Sequence, residues 1–473
     1  MLIVLLVWAA IYLPALGSLA IKGEEGRRIL PAIRMIETGD YIVPRVGSTT
    51  YFRKPPLVNW LVAVSFNVFG VRNEWTARLP SALSVLVVAI AFVTVARGSL
   101  SPRGSTIAAL IWLTNIGIIE KGRLIEIEGL YVSLSGIAII FWLSFWSQKN
   151  SPWLIWLPAS IFLGLALLAK GPLHLVFFYG IVFAVLWQTK NWRLLLHPAH
   201  FVGLAIMLAI FAAWAVPFLR STTTQLAVHK WSAQFSGRLS ATGFNFSSWI
   251  QNLPRSLVYF LPWVILFPFV RFTKFRDEAQ RQLACALSWG IVGPLLIINL
   301  VPGALPRYSM PAVVPASWLL AMSYARNALN WPYKLRSGGE GVWAKLVAGF
   351  VGLGLVIGGI GYPVTALVLR NKQQVKKVAA EINALVPVGE TLYVVDPDYQ
   401  PVLFYVKAPL NYATEITKLP ANTHYFLVQT ENEQEAITTQ KWSPRSVHQL
   451  ARIKDFHKRE MVLFEVGPPL KGR

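Results

Sequence analysis

Residues 153–188 read WLIWLPASIFLGLALLAKGPLHLVFFYGIVFAVLWQ: two apolar runs, 153–169 and 173–188, divided by Lys170, Gly171 and Pro172. Each run approaches the roughly 20 residues that carry a helix across a bilayer core. A surface helix of a soluble domain would show a charged stripe, and neither run has one. Working outward, comparable runs recur at 1–20, 79–96, 105–119, 129–146, 201–219, 256–271, 282–301, 309–325 and 345–368. The chain therefore reads as an α-helical polytopic membrane protein with about eleven transmembrane helices. The run at 1–20 lacks a basic leader region and an A-x-A cleavage site, so it is taken as the first span.

Composition agrees. Of 473 residues, 55% are hydrophobic and only 14% charged, against the roughly 25% charged residues of soluble domains. The 19 tryptophans suit indole anchors at lipid–water boundaries, with Trp146, Trp192 and Trp343 at the ends of runs. A single cysteine, Cys285, excludes an internal disulfide and a cysteine metal cluster, and reads as a small buried or lipid-facing residue.

Net charge is +22. The basic residues are scattered over short loops between apolar runs, which argues for headgroups and the positive-inside rule rather than nucleic acid. With the N-terminus cytoplasmic, the inside loops carry Arg97 and Arg103; Lys149; Lys190 and Arg193; Lys274, Arg276 and Arg281; and Arg326, Lys334 and Arg336. The first outside loop, 21–78, breaks the rule with Lys22, Arg27, Arg28, Arg34, Arg45, Arg53, Lys54, Arg72 and Arg78. An anionic ligand is the natural reason for that excess. Within the loop, 26–37 spaces Ile29, Ile33 and Ile36 as one face of an amphipathic helix suited to the headgroup plane, and 57–69 reads as a second, interfacial helix.

From about residue 371 the pattern becomes that of a small soluble α/β domain, 371–473, placed outside by the span count. A helix is expected at 372–385, with strands at 391–395, 424–429 and 461–466. Asp396 and Asp398, in a D-P-D turn, read as structural.

Ionisable groups beside membrane spans are the default site candidates. Glu24 and Glu25 follow the first run, competing with a helix cap or an ion pair to Arg27 or Arg28. Glu126 and Glu128 precede the 129–146 run; spaced by two, one can face inward while the other meets solvent or pairs with Lys121 or Arg123. Candidate cations are Lys54, Lys170, Arg238 and Arg307, each competing with a snorkelling headgroup contact. His174 reads as packing or a headgroup contact. A carboxylate that accepts a proton from a hydroxyl, with cations around a departing phosphate, is the grouping a transfer from a phosphate leaving group requires. No GxGxxG, Walker loop, HExxH or metal-spaced histidine pair occurs, and a lipid-borne donor fits better than a nucleotide sugar.

The ordered motifs GEEGRR (23–28), GDYIVPRVGSTTYFRKPPLVNW (39–60), NEWTARLP (73–80), KGRLIEIEGL (121–130), LAKGP (168–172), NLPRSL (252–257) and LPRYSMP (305–311) carry a family resemblance. The chain resembles the aminoarabinose transferase and protein mannosyltransferase group of membrane glycosyltransferases, the GT-C fold class, from the first run to about residue 325. The resemblance implies an inverting transfer from a polyprenyl-phosphate sugar, undecaprenyl phosphate in bacterial members, on the non-cytoplasmic face. Glu24 then matches the family's acidic residue that takes or orients the acceptor proton, with Glu25 and Arg27 beside it, and Glu128 matches the second acidic position. Lys54, Arg238 and Tyr308 match donor-phosphate contacts, joined by Arg307 and Lys170. Both family aspartates are glutamates here, and Arg53 stands where the aminoarabinose enzymes commonly place a metal-contacting glutamate, which argues against a divalent metal there.

The expectation is thus a GT-C domain over 1–370, including the 21–78 loop, followed by the 371–473 domain. The protein would sit in the cell's inner membrane with its site facing the periplasm or exterior. Its partners would be a polyprenyl-phosphate sugar, the bilayer, and a glycolipid, polysaccharide or protein acceptor; lipid A modification is the aminoarabinose version. A lipid-linked sugar flippase would instead need charges at mid-helix, and a non-catalytic polyprenyl-phosphate binding subunit would bind donor without turnover.

Overall fold

The computed structural model describes residues 1–239, 245–329, 339–370, 372–397, 400–443, 445–454 and 460–469. They gather into two compact units. One comprises Met1–Leu16, Arg53–Leu57 and Arg78–Val364; the other comprises Gly17–Phe52, Val58–Ala77 and Thr365–Arg473. The last stretch of the second unit starts at Thr365, and the unit also takes in most of the 21–78 loop.

Among the described residues six helices are long and apolar enough to cross a membrane: Glu74–Thr94, Ile127–Ser147, Pro152–Ala169, Pro198–Ser221, Glu278–Leu300 and Gly341–Arg370. The chain is a multi-pass membrane protein. Leu2–Tyr12, Leu57–Phe69 and His174–Thr189 are shorter apolar helices. Four expected spans differ. The run at 105–119 breaks at Thr114 and Asn115, between the helices Arg97–Leu113 and Ile116–Lys121. The run at 1–20 is helical only over Leu2–Tyr12, ahead of Pro14. The run at 256–271 is no single helix: a helix at Asn252–Val258 ends and a 3-10 stretch, Trp263–Phe269, follows. Pro262 and Pro268 supply no N–H to an α-helical ladder there. The run at 309–325 opens as a 3-10 turn, Pro306–Ala312, before the helix Val313–Ala325. Every residue from Val313 to Ser323 is buried, so that helix forms part of the core of its unit.

Five tryptophans other than the three named as boundary anchors lie inside the core. Trp112, Trp142, Trp156, Trp263 and Trp318 are wholly buried. Trp112 donates to the Val85 carbonyl at 2.9 Å, and Trp263 to Thr114 Oγ1 at 3.1 Å. An indole inside such a core brings apolar area together with one donor that needs a partner. Helices also approach closely through small residues. A Cβ on Gly203 would lie 2.4 Å from Ser160 Oγ, and one on Gly358 2.5 Å from Ile11 Cγ2. Gly358 sits in a π-helical turn, Val356–Gly361, in the middle of the last long helix.

The second unit is built on a five-stranded sheet. After the small hairpin of β1 (Arg45–Val46) and β2 (Thr49–Thr50), the strands are β3 (Leu392–Val395), β4 (Leu410–Ala413), β5 (Tyr425–Gln429), β6 (Arg445–Lys454) and β7 (Glu460–Pro469). Their order is β4-β3-β5-β7-β6, with β3 parallel to β4 and β5, and β7 antiparallel to β5 and β6. Phe426 stacks on Trp442 and Phe464 at 5.4 and 5.2 Å in the core of this sheet. The expected helix is present at Gln374–Leu385, and the expected strands correspond to β3, β5 and β7; β4 and β6 carry no strong alternation and were not foreseen. Helix Leu57–Phe69 falls where it was expected. The amphipathic segment forms the helix Gly26–Thr38, whose Ile29, Leu30, Ala32 and Met35 are buried, packing on β1 and the turn Pro401–Phe404.

Candidate active site

Glu126 caps and Glu128 opens the helix Ile127–Ser147, at the end where the peptide dipoles favour a carboxylate. Lys170 terminates the helix Pro152–Ala169, the end that favours a cation. Arg307 and Tyr308 lie in the Pro306–Ala312 turn. Packing brings these ends together. Lys170 Nζ donates to Glu128 Oε1 at 3.2 Å, and Arg307 Nε lies 3.0 Å from the same oxygen. Lys170 also lies 4.6 Å from the Tyr308 ring and 4.9 Å from the Tyr131 ring, so two aromatic faces flank its ammonium. Glu128 and Lys170 side chains are each 9% exposed while Arg307 is 35% exposed, which makes Arg307 the member that reaches solvent.

Four residues singled out in the sequence thus form one cluster: Glu128, Lys170, Arg307 and Tyr308. Tyr131 was missed; its signal was its position three residues after Glu128, one helical turn away on the same face. His174 packs edge-on to Tyr131 at 5.5 Å, with Nδ1 3.0 Å from the Gly171 carbonyl, in keeping with a packing role.

The paired glutamates part company, as a spacing of two permits. Glu126 takes the ion pair: Lys121 Nζ lies 2.8 Å from both Glu126 Oε2 and Glu120 Oε1. Burial opposes charge on Lys121, but the two carboxylates outweigh it and hold the ammonium well above the usual lysine range. Arg123 pairs with neither glutamate. It is buried, lies under the Tyr362 ring at 3.9 Å and donates to the carbonyls of Ile11, Pro14 and Gly358.

Lys54 lies half-buried in the Arg53–Leu57 segment of the membrane unit. Arg53 beside it is an exposed cation, a side chain that does not ligate a metal ion. Arg238 falls in the helix Thr224–Leu239, its side chain outside the described residues. Asp398 also lies outside them, and Asp396 turns the chain with φ +40°.

Glu24, Glu25 and Arg27 belong to the second unit. Arg27 donates to Glu24 Oε1 at 2.6 Å, the ion pair weighed from the sequence, and Glu25 is buried, accepting from the Lys22 backbone at 3.3 Å as a helix-start cap. Several basic residues of the 21–78 loop have partners within the protein. Arg28 donates to Tyr51 at 3.0 Å, Arg34 pairs with Glu37 at 3.0 Å and lies on Tyr412, and buried Arg78 donates to the Leu16 carbonyl at 3.0 Å.

The fold is that of the GT-C class of membrane glycosyltransferases. The solved structure of ArnT from Cupriavidus metallidurans bound to undecaprenyl phosphate matches it with a TM-score of 0.70 at 18% identity, over 98% of this chain and 96% of that one. A family model described as dolichyl-phosphate-mannose-protein mannosyltransferase matches residues 53–216. The chain is 26% identical over 323 residues to undecaprenyl phosphate-alpha-4-amino-4-deoxy-L-arabinose arabinosyl transferase 2 of Pseudomonas fluorescens (strain Pf0-1), covering 66% of this chain. It is 27% identical over 360 residues to the arabinosyl transferase of that name from Yersinia pestis (strain Pestoides F), covering 73%. The matches span 57% and 63% of those two relatives' own lengths. The resemblance expected from the ordered motifs is therefore met by family model, relatives and fold alike.

Proposed function

We propose that the protein is a glycosyltransferase that moves a sugar from a polyprenyl phosphate, undecaprenyl phosphate in a bacterial membrane, to an acceptor hydroxyl or phosphate. The observation that carries this reading is Glu128 holding Lys170 and Arg307 on one carboxylate oxygen at helix ends, beside Tyr308. In the reaction the acceptor oxygen bonds to the anomeric carbon as the bond from that carbon to the phosphate oxygen breaks, inverting the centre. The electron pair leaves on the lipid phosphate. Lys170 and Arg307 meet that growing charge with donors that Glu128 has already oriented, which lowers the barrier because no reorganisation is needed. Lys54, Tyr308 and Arg238 are assigned to the same phosphate, and Glu24, with Glu25 and Arg27, to the acceptor proton, on the family resemblance. The relatives named for undecaprenyl phosphate-aminoarabinose support the donor class.

Topology belongs to the same proposal. The N-terminus is cytoplasmic, the 21–78 and 371–473 segments are outside, and the site faces the periplasm or exterior of the inner membrane. About eleven helices cross the membrane in this reading, the six long apolar helices among them. The acceptor is a glycolipid, polysaccharide or protein.

The test is sugar transfer by purified protein in lipid with a panel of radiolabelled undecaprenyl-phosphate sugars. Turnover or donor hydrolysis that is lost in Glu128→Gln and Glu24→Gln is the expected result. Donors that bind but are never consumed, with crude envelope acceptors present, would move a binding subunit or flippase ahead.

A further inference from the structure

The sheet-bearing unit carries a cleft of about 610 Å³ that the transfer reaction leaves unused. One wall is the helix Gln374–Leu385, which contributes Lys376 and the small side chains of Ala379, Ala380 and Ala384. Phe404, Tyr405 and Lys407 form a second wall, and Arg72 and Glu74 a third. The one carboxylate of the lining is already neutralised: Glu74 is 2.5 Å from Lys376 Nζ and accepts from the Tyr405 hydroxyl at 3.0 Å.

Arg72 and Lys407 supply charge beyond that pair. Arg72 reaches only as near as 3.6 Å to Glu37, a carboxylate that Arg34 already holds at 3.0 Å. Lys407 is exposed and makes no ion pair among the described residues. Its place is fixed by its backbone: Lys407 N donates to Asn383 Oδ1 at 2.8 Å, and Asn383 Nδ2 donates to the Tyr405 carbonyl at 3.1 Å. The lining sets Arg72, Lys376 and Lys407 against Glu74, a surplus of two positive charges, which matches a phosphate monoester dianion. The volume exceeds what a phosphate alone fills and lies in the range of small-ligand sites. The Phe404 ring, set edge-to-face on Tyr405 at 4.9 Å, and the three alanines offer an apolar surface of the size of one sugar face.

We infer that this cleft binds a phosphorylated saccharide, its phosphate held by Arg72 and Lys407 and its ring laid against Phe404. Such a group arrives either as a soluble sugar phosphate or as a lipid headgroup. The test uses the full chain in phosphatidylcholine nanodiscs. One arm titrates glucose 6-phosphate, with glucose and inorganic phosphate as controls; the other incorporates a phosphorylated glucosyl lipid into the disc and reads binding by surface-sensitive fluorescence. The expected result in at least one arm is binding roughly tenfold tighter than either control, weakened about tenfold by Arg72→Ala and by Lys407→Ala and retained in Lys407→Arg. Saturation in the first arm identifies the soluble source; saturation in the second alone identifies the headgroup. Equal affinity for phosphate and sugar phosphate overturns the inference. So does binding that survives in the Arg72→Ala/Lys407→Ala double variant, or none in either arm with melting profiles unchanged. None of these readouts depends on turnover, so they stand apart from the transferase proposal.

Discussion

Replacing Lys170 by methionine keeps the stem and removes the ammonium from its position 3.2 Å from Glu128 and between the Tyr131 and Tyr308 rings. Two losses follow, and they are separable. For stability, a charged hydrogen bond contributes about 1.5–3 kcal/mol. Glu128 keeps Arg307, and that pair, one-third exposed on the arginine side, contributes only about 0–1 kcal/mol more. Lys170→Met therefore costs about 2 kcal/mol of stability, well short of the roughly 3–5 kcal/mol of a fully orphaned buried charge. For the proposed transfer, losing one preorganised donor to the leaving phosphate lowers kcat by about 10²–10³-fold, or roughly 3–4 kcal/mol. Steady-state transfer with a radiolabelled lipid-phosphate sugar, donor binding and thermal unfolding in detergent read these separately. The decisive comparison adds Glu128→Gln and the double variant. In the proposed mechanism the glutamate orients the lysine, so the double variant is expected to lose far less than the product of the two single losses. A Lys170→Met enzyme that keeps kcat within threefold of wild type while losing the stability would make the ion pair structural. Fully multiplicative losses would refute the shared cluster.

Arg123→Ala leaves the carbonyls of Ile11, Pro14 and Gly358 without their donor in a buried setting, and lowers the unfolding temperature by the equivalent of about 3–5 kcal/mol, measured by thermal scanning fluorimetry. Gly203→Leu forces the helices Pro198–Ser221 and Pro152–Ala169 apart at a contact already at 2.4 Å for a Cβ, costing about 1–3 kcal/mol, whereas Gly203→Ala costs less because Ser160 Oγ can rotate. Lys121 gains carboxylate partners on folding, so its pKa is raised and its contribution is complete below the ordinary lysine value near about 10.4. That contribution is lost as pH climbs through the raised value, so an alkaline melting series falls more steeply in wild type than in Lys121→Met; identical slopes would contradict it.

The sequence by itself determined the class of molecule, because apolar runs of span length have no alternative in water. It also determined the helix at Leu57–Phe69 and strands β3, β5 and β7, where alternation and breakers agree. It could mark Glu126, Glu128, Lys170 and Arg307 as expensive charges beside spans, since each must find a partner in a poorly hydrated setting. Which partner is a different matter. Lys121 and Arg123 lie nearer to Glu128 in sequence than Lys170 or Arg307 does, yet Lys121 goes to Glu126 and Arg123 to the backbone carbonyls of Ile11, Pro14 and Gly358. Those choices depend on how helix ends meet, which is set by shape: Gly203 against Ser160, Gly358 against Ile11, and prolines that break the 256–271 run. The burial of five tryptophans and the basic cleft beside the Gln374–Leu385 helix likewise arise from segments far apart in the chain. Hydrophobicity is a property of each residue and is legible one letter at a time; the pairing of charges is a property of packed surfaces, and only the tertiary structure decided it.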